Sequence, residues 1–463
     1  MRSRYDRLTI QDRNQFWAEA RDTPMHIMAV LQLEPDGLVD GTGRLKLEVI
    51  RDRIERRLAR VPRLRQVVRP GNLLTGPPIW VDDPGFDLAR HVRAGSVPGP
   101  GTETDLLQVV ARIDRDLIDR AHALWEAWLL TGLDNGRVAL VFKLHHAIAD
   151  GLAAIQVLAS LFDFTSDSSD PAPGSWVSQP PPRPSALMRD NLAGKIDGVG
   201  RALARARHPR AVWHASLRAA RAFRGMVGQA TRAPRSPLNR TVVGPARRLA
   251  VVRIPLDEAK AVAHVHGGTV NDVLLSIVAG GLRSLLLGRS ETVEGVALLA
   301  SVPVSIRHDA KLGNEVGLRI VPLPLGEAEP AARLWAVVQA STRAKHSQSA
   351  AAGMVGWSMV ARVGLARWVS RHQRFVNVFV TNVAGPPMPV CVLGARLLDV
   401  IPVVPIAGNC PLAFAALSYH GVLAITVTAD AGRLPDLDVA IQGLERSWLA
   451  MRGEKPVAVM APR

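Results

Sequence analysis

Two adjacent histidines, His145 and His146, are followed by Asp150 and Gly151 in the segment HHAIADG, at the end of the apolar run RVALVFKLHH. A neutral imidazole titrates near working pH, so it can take a proton from a hydroxyl as that oxygen attacks a carbonyl. No Ser-His or Cys-His pairing signature is visible nearby, so direct attack by a bound acceptor fits better than a covalent enzyme intermediate. Neighbouring side chains on a strand point to opposite faces, which argues against one metal ion held by both rings. The same alternation implies that one histidine faces the reaction while the other supports the fold. His146 is the chosen base, although the spacing alone does not separate it from His145. Asp150 stands where it can cap the next helix, and Gly151 lets the backbone turn and a substrate approach closely. The plainer alternative is a pair of satisfied histidines with Asp150 as a simple cap. Two histidines with Asp and Gly at these offsets favour the chemical reading.

The elements that must position these residues are legible from periodicity. Residues 137–145 alternate as a strand, with Val138, Leu140, Phe142 and Leu144 on one face. Residues 151–162 return to a helical period through Leu152, Ile155, Leu158 and Leu161, and residues 46–61 do the same through Leu47, Ile50, Ile54 and Leu58. Further along, 269–287 reads as a helix, and 296–306, 374–380 and 422–428 read as strands. Both halves are therefore expected to be mixed α/β.

The chain has 463 residues, 48% of them hydrophobic, which excludes disorder over the whole length. Its two cysteines, Cys391 and Cys410, are too few for a disulfide scaffold or a cysteine metal site, and cytosolic conditions are the simplest expectation. No signal-peptide pattern opens the sequence, and no run of about 20 uninterrupted apolar residues is present. The net charge of +16 is concentrated: residues 183–248 hold 15 Lys and Arg against two acids, Asp190 and Asp197. That stretch follows a Pro/Ser/Gly-rich segment, 171–185, and divides the chain into 1–165, a connector 166–245, and 246–463. Basic residues with interleaved Trp213, Phe223 and Met226 suit a solvated connector first and attachment to anionic lipid second. No recognised nucleic-acid motif accompanies the charge, so no nucleic-acid partner is expected.

Beyond HHAIADG, several ordered segments resemble one known family. LTIQDRNQFWAEARDTPMHI (8–27) ends in Pro-Met-His, and PPIWVDDPGFDLARHVR (77–93) follows it. TVNDVLLSIVAGGLRSLL (269–286) carries an Asn-Asp pair; SVPVSIR (301–307), LGNEVG (312–317) and TNVAGPP (381–387) complete the set. Together they are similar to the bacterial wax ester synthase/diacylglycerol acyltransferase family, within the CoA-dependent acyltransferases that carry HHxxxDG. Three departures stand out: Ala123-Leu124-Trp125 where Pro-Leu-Trp is usual, TNVAGPP in place of Ser-Asn-Val-Pro-Gly-Pro, and Ser301 in place of an Asn. None removes a group that moves a proton.

The resemblance implies two chloramphenicol-acetyltransferase-like lobes joined by a basic, partly helical connector, with HHxxxDG in a channel between them. It implies that His146 deprotonates the hydroxyl of diacylglycerol or a long-chain alcohol, that His145 orients and packs, and that Asp150 holds the loop through an arginine such as Arg307. Acyl-CoA enters as a substrate, with no bound cofactor or metal. Asn271 has two readings, helix-start architecture or oxyanion support. Asp272 has the Thr-x-x-Asp spacing of a capping box, a structural job. Ser305 is a candidate hydrogen-bond donor to substrate, or a solvated strand end. Trp125, Trp357 and Trp368 could line an acyl channel, but core packing explains most such residues. The amphipathic segment 354–373 reads as a core helix or a lipid-surface helix. The expected partners are acyl-CoA, a hydrophobic alcohol and a membrane or lipid-droplet surface, with the protein in the cytoplasm. Two rivals remain, an HHxxxDG enzyme for another lipid, polyketide or glycolipid acceptor, and a catalytically silent lipid-binding protein.

Overall fold

A computed structural model describes residues 5–149, 151–163, 176–206, 217, 233–305, 316–346 and 366–453. The N-terminal half opens with α1 (Ile10–Ala18), begun by a reciprocal cap in which Thr9 Oγ1 accepts from the Asp12 N–H and Asp12 accepts from the Thr9 N–H. There follow β1 (His26–Leu33), α2 (Leu47–Leu58), β2 (Gln66–Arg69), β3 (Ile79–Asp82), α3 (Leu88–His91), β4 (Val92–Ser96), α4 (Glu103–Arg115) and β5 (Trp125–Thr131). The half ends with β6 (Val138–His145), α5 (Gly151–Leu161) and β7 (Phe162–Asp163), and α6 (Pro184–Ala206) leads away from it.

The C-terminal half contains β8 (Arg247–Pro255), α7 (Leu256–Val265), α8 (Val270–Gly288), β9 (Ala297–Ser305), β10 (Val316–Pro324), α9 (Pro330–His346) and α10 (Ala366–His372). It continues through β11 (Val378–Ala384), β12 (Cys391–Val392), β13 (Ala395–Val403), β14 (Leu412–Tyr419), β15 (Val422–Asp430) and α11 (Leu437–Met451).

Two mixed sheets result, ordered β4-β5-β6-β1-β13-β12-β7 and β10-β9-β11-β14-β15-β8. β13 runs antiparallel to β1, so a strand pair from the C-terminal half completes the N-terminal sheet. The two lobes are therefore interlocked by chain crossing as well as by side chains. β6 is central and buried along its whole length. Its even positions Val138, Leu140, Phe142 and Leu144 join one apolar cluster, while Ala139 and Val141 join another under α4 and the edge strand β8. That double burial explains why the strand reads as a nearly continuous apolar run.

α8 is the centre of the second lobe. Among the described residues it is the helix long and apolar enough to cross a membrane, yet most of its side chains are buried in the protein core. It packs on α11 closely because Gly281 has no side chain: a Cβ there would lie 2.7 Å from Leu444 Cδ2 and 3.0 Å from the Ala440 carbonyl oxygen.

One expectation is corrected. The strand expected over 374–380 begins at Val378, because Gln373 Oε1 accepts from the N–H groups of Phe375 and Val376 and holds them in a turn. Trp125 packs in the core, as core packing explains for most residues of its type: it is fully buried, stacks between His91 and Phe142, and donates from Nε1 to the Leu64 carbonyl at 2.7 Å. Trp368 is exposed and stacks on His372, and Trp357 lies outside the described residues.

Candidate active site

His145 is the last residue of β6 and faces His26, the first residue of β1, across the antiparallel ladder. Its ring is fully buried and stacks on Phe16 of α1 with centroids 4.6 Å apart. Nδ1 accepts from the Ala147 N–H at 3.0 Å, so the ring proton sits on Nε2, which lies 3.3 Å from Glu19 Oε1. His26 Nε2 approaches the same oxygen at 3.4 Å. Arg120 donates from Nε and Nη2 to Glu19 Oε2, at 3.0 and 2.5 Å, and its guanidinium lies over Phe16. One buried carboxylate thus serves two imidazoles and a guanidinium.

The electrostatics follow from that crowding. Burial alone would raise the Glu19 carboxyl, but its hydrogen bonds with His145, His26 and Arg120 together hold it well below the usual carboxylate range. Burial pushes His26 down to about 4 despite the opposing pull of Glu19, so this ring is neutral at working pH.

A second buried group lies beside the first. His26 Nδ1 is 3.3 Å from the carbonyl oxygen of Asp114, at the end of α4. Burial raises the Asp114 carboxyl to about 6, against the pull of Arg247 and Lys143. Lys143, two residues before His145 on the same strand face, donates to the Ile113 and Asp116 carbonyls and pins α4 to β6. Arg247, the first residue of β8, lies 3.7 Å from Asp114 Oδ2 and donates to the Asp22 carbonyl at 2.8 Å. The edge strand of the second sheet is thereby tied to the segment that carries Glu19.

His146 follows immediately. Its N–H donates to the Met25 carbonyl at 2.8 Å, which fixes the backbone against the start of β1, and its side chain is only partly buried. Gly151 is the first residue of α5. Asp150 and Arg307, and the pairing expected between them, lie outside the described residues. Asn271 occupies the first turn of α8, partly buried, while Asp272 is buried and accepts from both the N–H and the hydroxyl of Thr269, at 2.9 and 2.7 Å. Ser305 ends β9, opposite Val316. The described contacts bring His145, His26, Glu19 and Arg120 together and do not join Asn271 or Asp272 to that group.

Glu19, Arg120 and His26 had no role in the sequence reading. The signal available for Glu19 was its place in the Pro-Met-His segment, five residues before Pro24, where an acid at a helix end looks like an ordinary surface residue. A cavity of about 450 Å³, lined by Gln32, Arg137, Arg253 and Asp399 among others, sits at the far end of β1 and β6 from the histidines, so it is a feature of the lobe junction away from the motif. Among the described residues, no group of three His, Cys, Asp or Glu side chains is placed to hold a metal ion.

With this geometry in view, two family models match the chain. Residues 8–274 match the wax ester synthase/diacylglycerol acyltransferase catalytic domain, and residues 312–452 match the WS/DGAT C-terminal domain. A probable diacylglycerol O-acyltransferase of Mycobacterium tuberculosis, tgs1, is 34% identical over 385 residues, covering 79% of this chain and 80% of that one. A putative diacylglycerol O-acyltransferase of the same organism is 27% identical over 461 residues, 96% of each chain. Among solved structures, the wax ester synthase/diacylglycerol acyltransferase of Marinobacter aquaeolei aligns with a TM-score of 0.70 at 23% identity, over 96% of this chain and 98% of that one. The first condensation domain of the CDA synthetase aligns at 0.61 and 15% identity, over 97% and 96%. Both structural likenesses speak to the two-lobed fold.

Proposed function

Because the chain belongs to the wax ester synthase/diacylglycerol acyltransferase family and is an acyltransferase, we propose that His146 is the base with which it transfers a fatty acyl group from acyl-CoA to diacylglycerol or a long-chain alcohol. The observation that carries this reading is the contrast within the pair. His145 is sealed in the core with Nδ1 occupied by the Ala147 N–H and Nε2 against Glu19, whereas His146 keeps a partly open side chain at the end of the same strand. His145 then acts as a positioning residue that holds the strand end, and Glu19 keeps its tautomer fixed.

In this mechanism His146 takes the proton of the acceptor hydroxyl as that oxygen attacks the thioester carbonyl. The tetrahedral intermediate collapses with cleavage of the carbon–sulfur bond, and the leaving thiolate takes the proton back from His146. Ester and free CoA leave, and the enzyme returns to its starting protonation state. Asn271, in the first turn of α8, and Ser305 are proposed as donors to substrate oxygens, and Gly151 as the residue that lets the acyl chain approach. Asp150 and Arg307 are proposed to hold the motif loop. Acyl-CoA is anionic, so the basic stretch 183–248 favours its capture. The acceptor resides in a lipid phase, which supports peripheral attachment to a membrane or droplet on the cytoplasmic side, and the same stretch supplies cations for it.

The test is purified protein with radiolabelled palmitoyl-CoA and either diacylglycerol or hexadecanol, beside His146→Ala. Labelled triacylglycerol or wax ester from the parent, with a loss of about 10³-fold in the variant and an unchanged melting temperature, is expected. Equal turnover by the variant would remove His146 from the role of base. No product from either protein would leave a lipid-binding scaffold.

A further inference from the structure

The turn between β2 and β3 carries Leu73 and Leu74, which are 92% and 63% exposed. Exposed leucines at a loop tip ordinarily leave polar backbone beside them that needs water. Here most of the backbone is already paired. Asn72 Oδ1 accepts from the N–H groups of Leu74 and Thr75, and the Asn72 carbonyl accepts from the Gly76 N–H. Asn191 of α6 donates to the Leu73 and Leu74 carbonyls, and Arg7 donates to the Thr75 carbonyl. An apolar tip with most of its backbone groups paired inside the protein leaves water at reduced cost, which an interfacial site requires.

α6 extends the same surface. Its inner side is anchored by buried Leu187, by Asn191 and by Asp190, which accepts from Arg7. On the outside, Met188, Leu192, Ile196 and Val199 are exposed at i, i+4, i+8 and i+11 spacing, one continuous stripe. Exposed Arg189 and Lys195 border that stripe on its two sides, while Asp190 and Asp197 fall on the side away from it. Apolar residues flanked by cations, with acids turned away, is the arrangement of a helix lying in a lipid headgroup layer.

We propose that the β2–β3 tip and the outer stripe of α6 form one docking surface for an anionic lipid interface, with Leu73, Leu74, Leu192 and Ile196 entering the apolar boundary and Arg189 and Lys195 meeting headgroup phosphates. The proposal rests on the reading that the acceptor is drawn from a lipid phase and names the surface that meets it. A second copy of the chain is a poorer occupant, because self-pairing would set two strongly basic stretches, each with 15 Lys and Arg against two acids over 183–248, against one another.

Sedimentation with sucrose-loaded vesicles of phosphatidylcholine, with and without phosphatidylglycerol, tests it using the full chain. The parent is expected to partition more strongly to the anionic vesicles. Leu73→Glu with Leu74→Glu, and separately Leu192→Glu with Ile196→Glu, should each weaken that partition by about tenfold or more. All four positions are exposed, so turnover of detergent-dispersed hexadecanol should stay at the parent level, which also reports folding. Parent-like vesicle binding by both pairs overturns the proposal, and loss from one pair alone overturns the joint surface. A dimer that the substitutions dissociate while vesicle binding persists also overturns it. Absent turnover of dispersed substrate by the parent would count against the acyl-transfer reading and leave the docking result standing.

Discussion

The two lobes use burial for different ends. The N-terminal lobe carries Glu19, His26, Asp114, Lys143 and His145 in its interior, each nearly or fully inaccessible to solvent. The C-terminal lobe surrounds α8 with apolar side chains such as Val273, Leu274, Ile277, Leu282 and Leu285, and its close contacts are made by glycines. Buried ionisable groups are costly unless partnered, so a lobe that keeps five of them around one strand end is organised for something other than stability. The comparison teaches where to look for chemistry: in the lobe that buries the ionisable cluster. The second lobe is tied to it through Arg247, which lies beside Asp114 and donates to the Asp22 carbonyl.

Removing the carboxylate at the centre of the polar lobe should have the largest consequence. Glu19→Ala leaves His145, His26 and Arg120 facing a gap. The expected cost is about 3 kcal/mol of stability, since breaking a buried charge pair strands its partner. Arg120 is partly exposed and recovers some hydration, which keeps the figure at the lower end of the usual range. Acyl transfer should fall by about 10²-fold, through the loss of a fixed His145 tautomer beside His146. Urea titration and single-turnover kinetics of the variant check both numbers. Parent-like activity in a destabilised variant would mean that the polar cluster is structural only.

The apolar lobe offers the converse. Gly281→Ala places a methyl group 2.7 Å from Leu444 Cδ2 and close to the Ala440 carbonyl, and backbone does not yield easily. Overpacking should cost about 2 kcal/mol, reduced by about 1 kcal/mol through the better helix propensity of alanine. Turnover at a temperature where the variant is folded should match the parent. A large kinetic defect without a stability change would dissolve the contrast between the lobes.

What was legible in the sequence was local. β6 and α8 read correctly because an apolar period and a capping box are written in consecutive residues, and HHAIADG marks its own strand end. Glu19 and His26 were not legible as site residues, because they reach His145 only through the pairing of β1 with β6, more than 100 residues apart. The return of β13 into the first sheet is non-local in the same way. The late start of β11 was hidden for a different reason: a single side chain, Gln373, outcompetes the ladder for two N–H groups. Trp125 was legible as core from its residue type alone, and the stack with His91 and Phe142 is where that packing is made.

The smallest expected effect concerns pH and isolates the polar lobe without touching the motif. Asp114 titrates at about 6 in the folded protein against an ordinary 3.8, because burial disfavours its charge more than Arg247 favours it. A carboxyl whose folded value is raised binds a proton more tightly when folded, so its contribution to stability is greatest below about pH 4 and declines as pH rises to about 6. Asp114→Asn removes that dependence. Whatever constant offset the substitution brings, the stability of the variant relative to the parent should rise between about pH 4 and pH 6 and stay flat above it. His26 and Glu19 have depressed folded values and lose stability on acidification in both proteins, so they cancel in the difference. Urea midpoints for the pair across that range give the answer. A difference that is flat from pH 4 to pH 7 would show that Arg247 keeps Asp114 charged throughout. The link from the second sheet to the polar core would then be a permanent ion pair, not one that a proton near pH 6 releases.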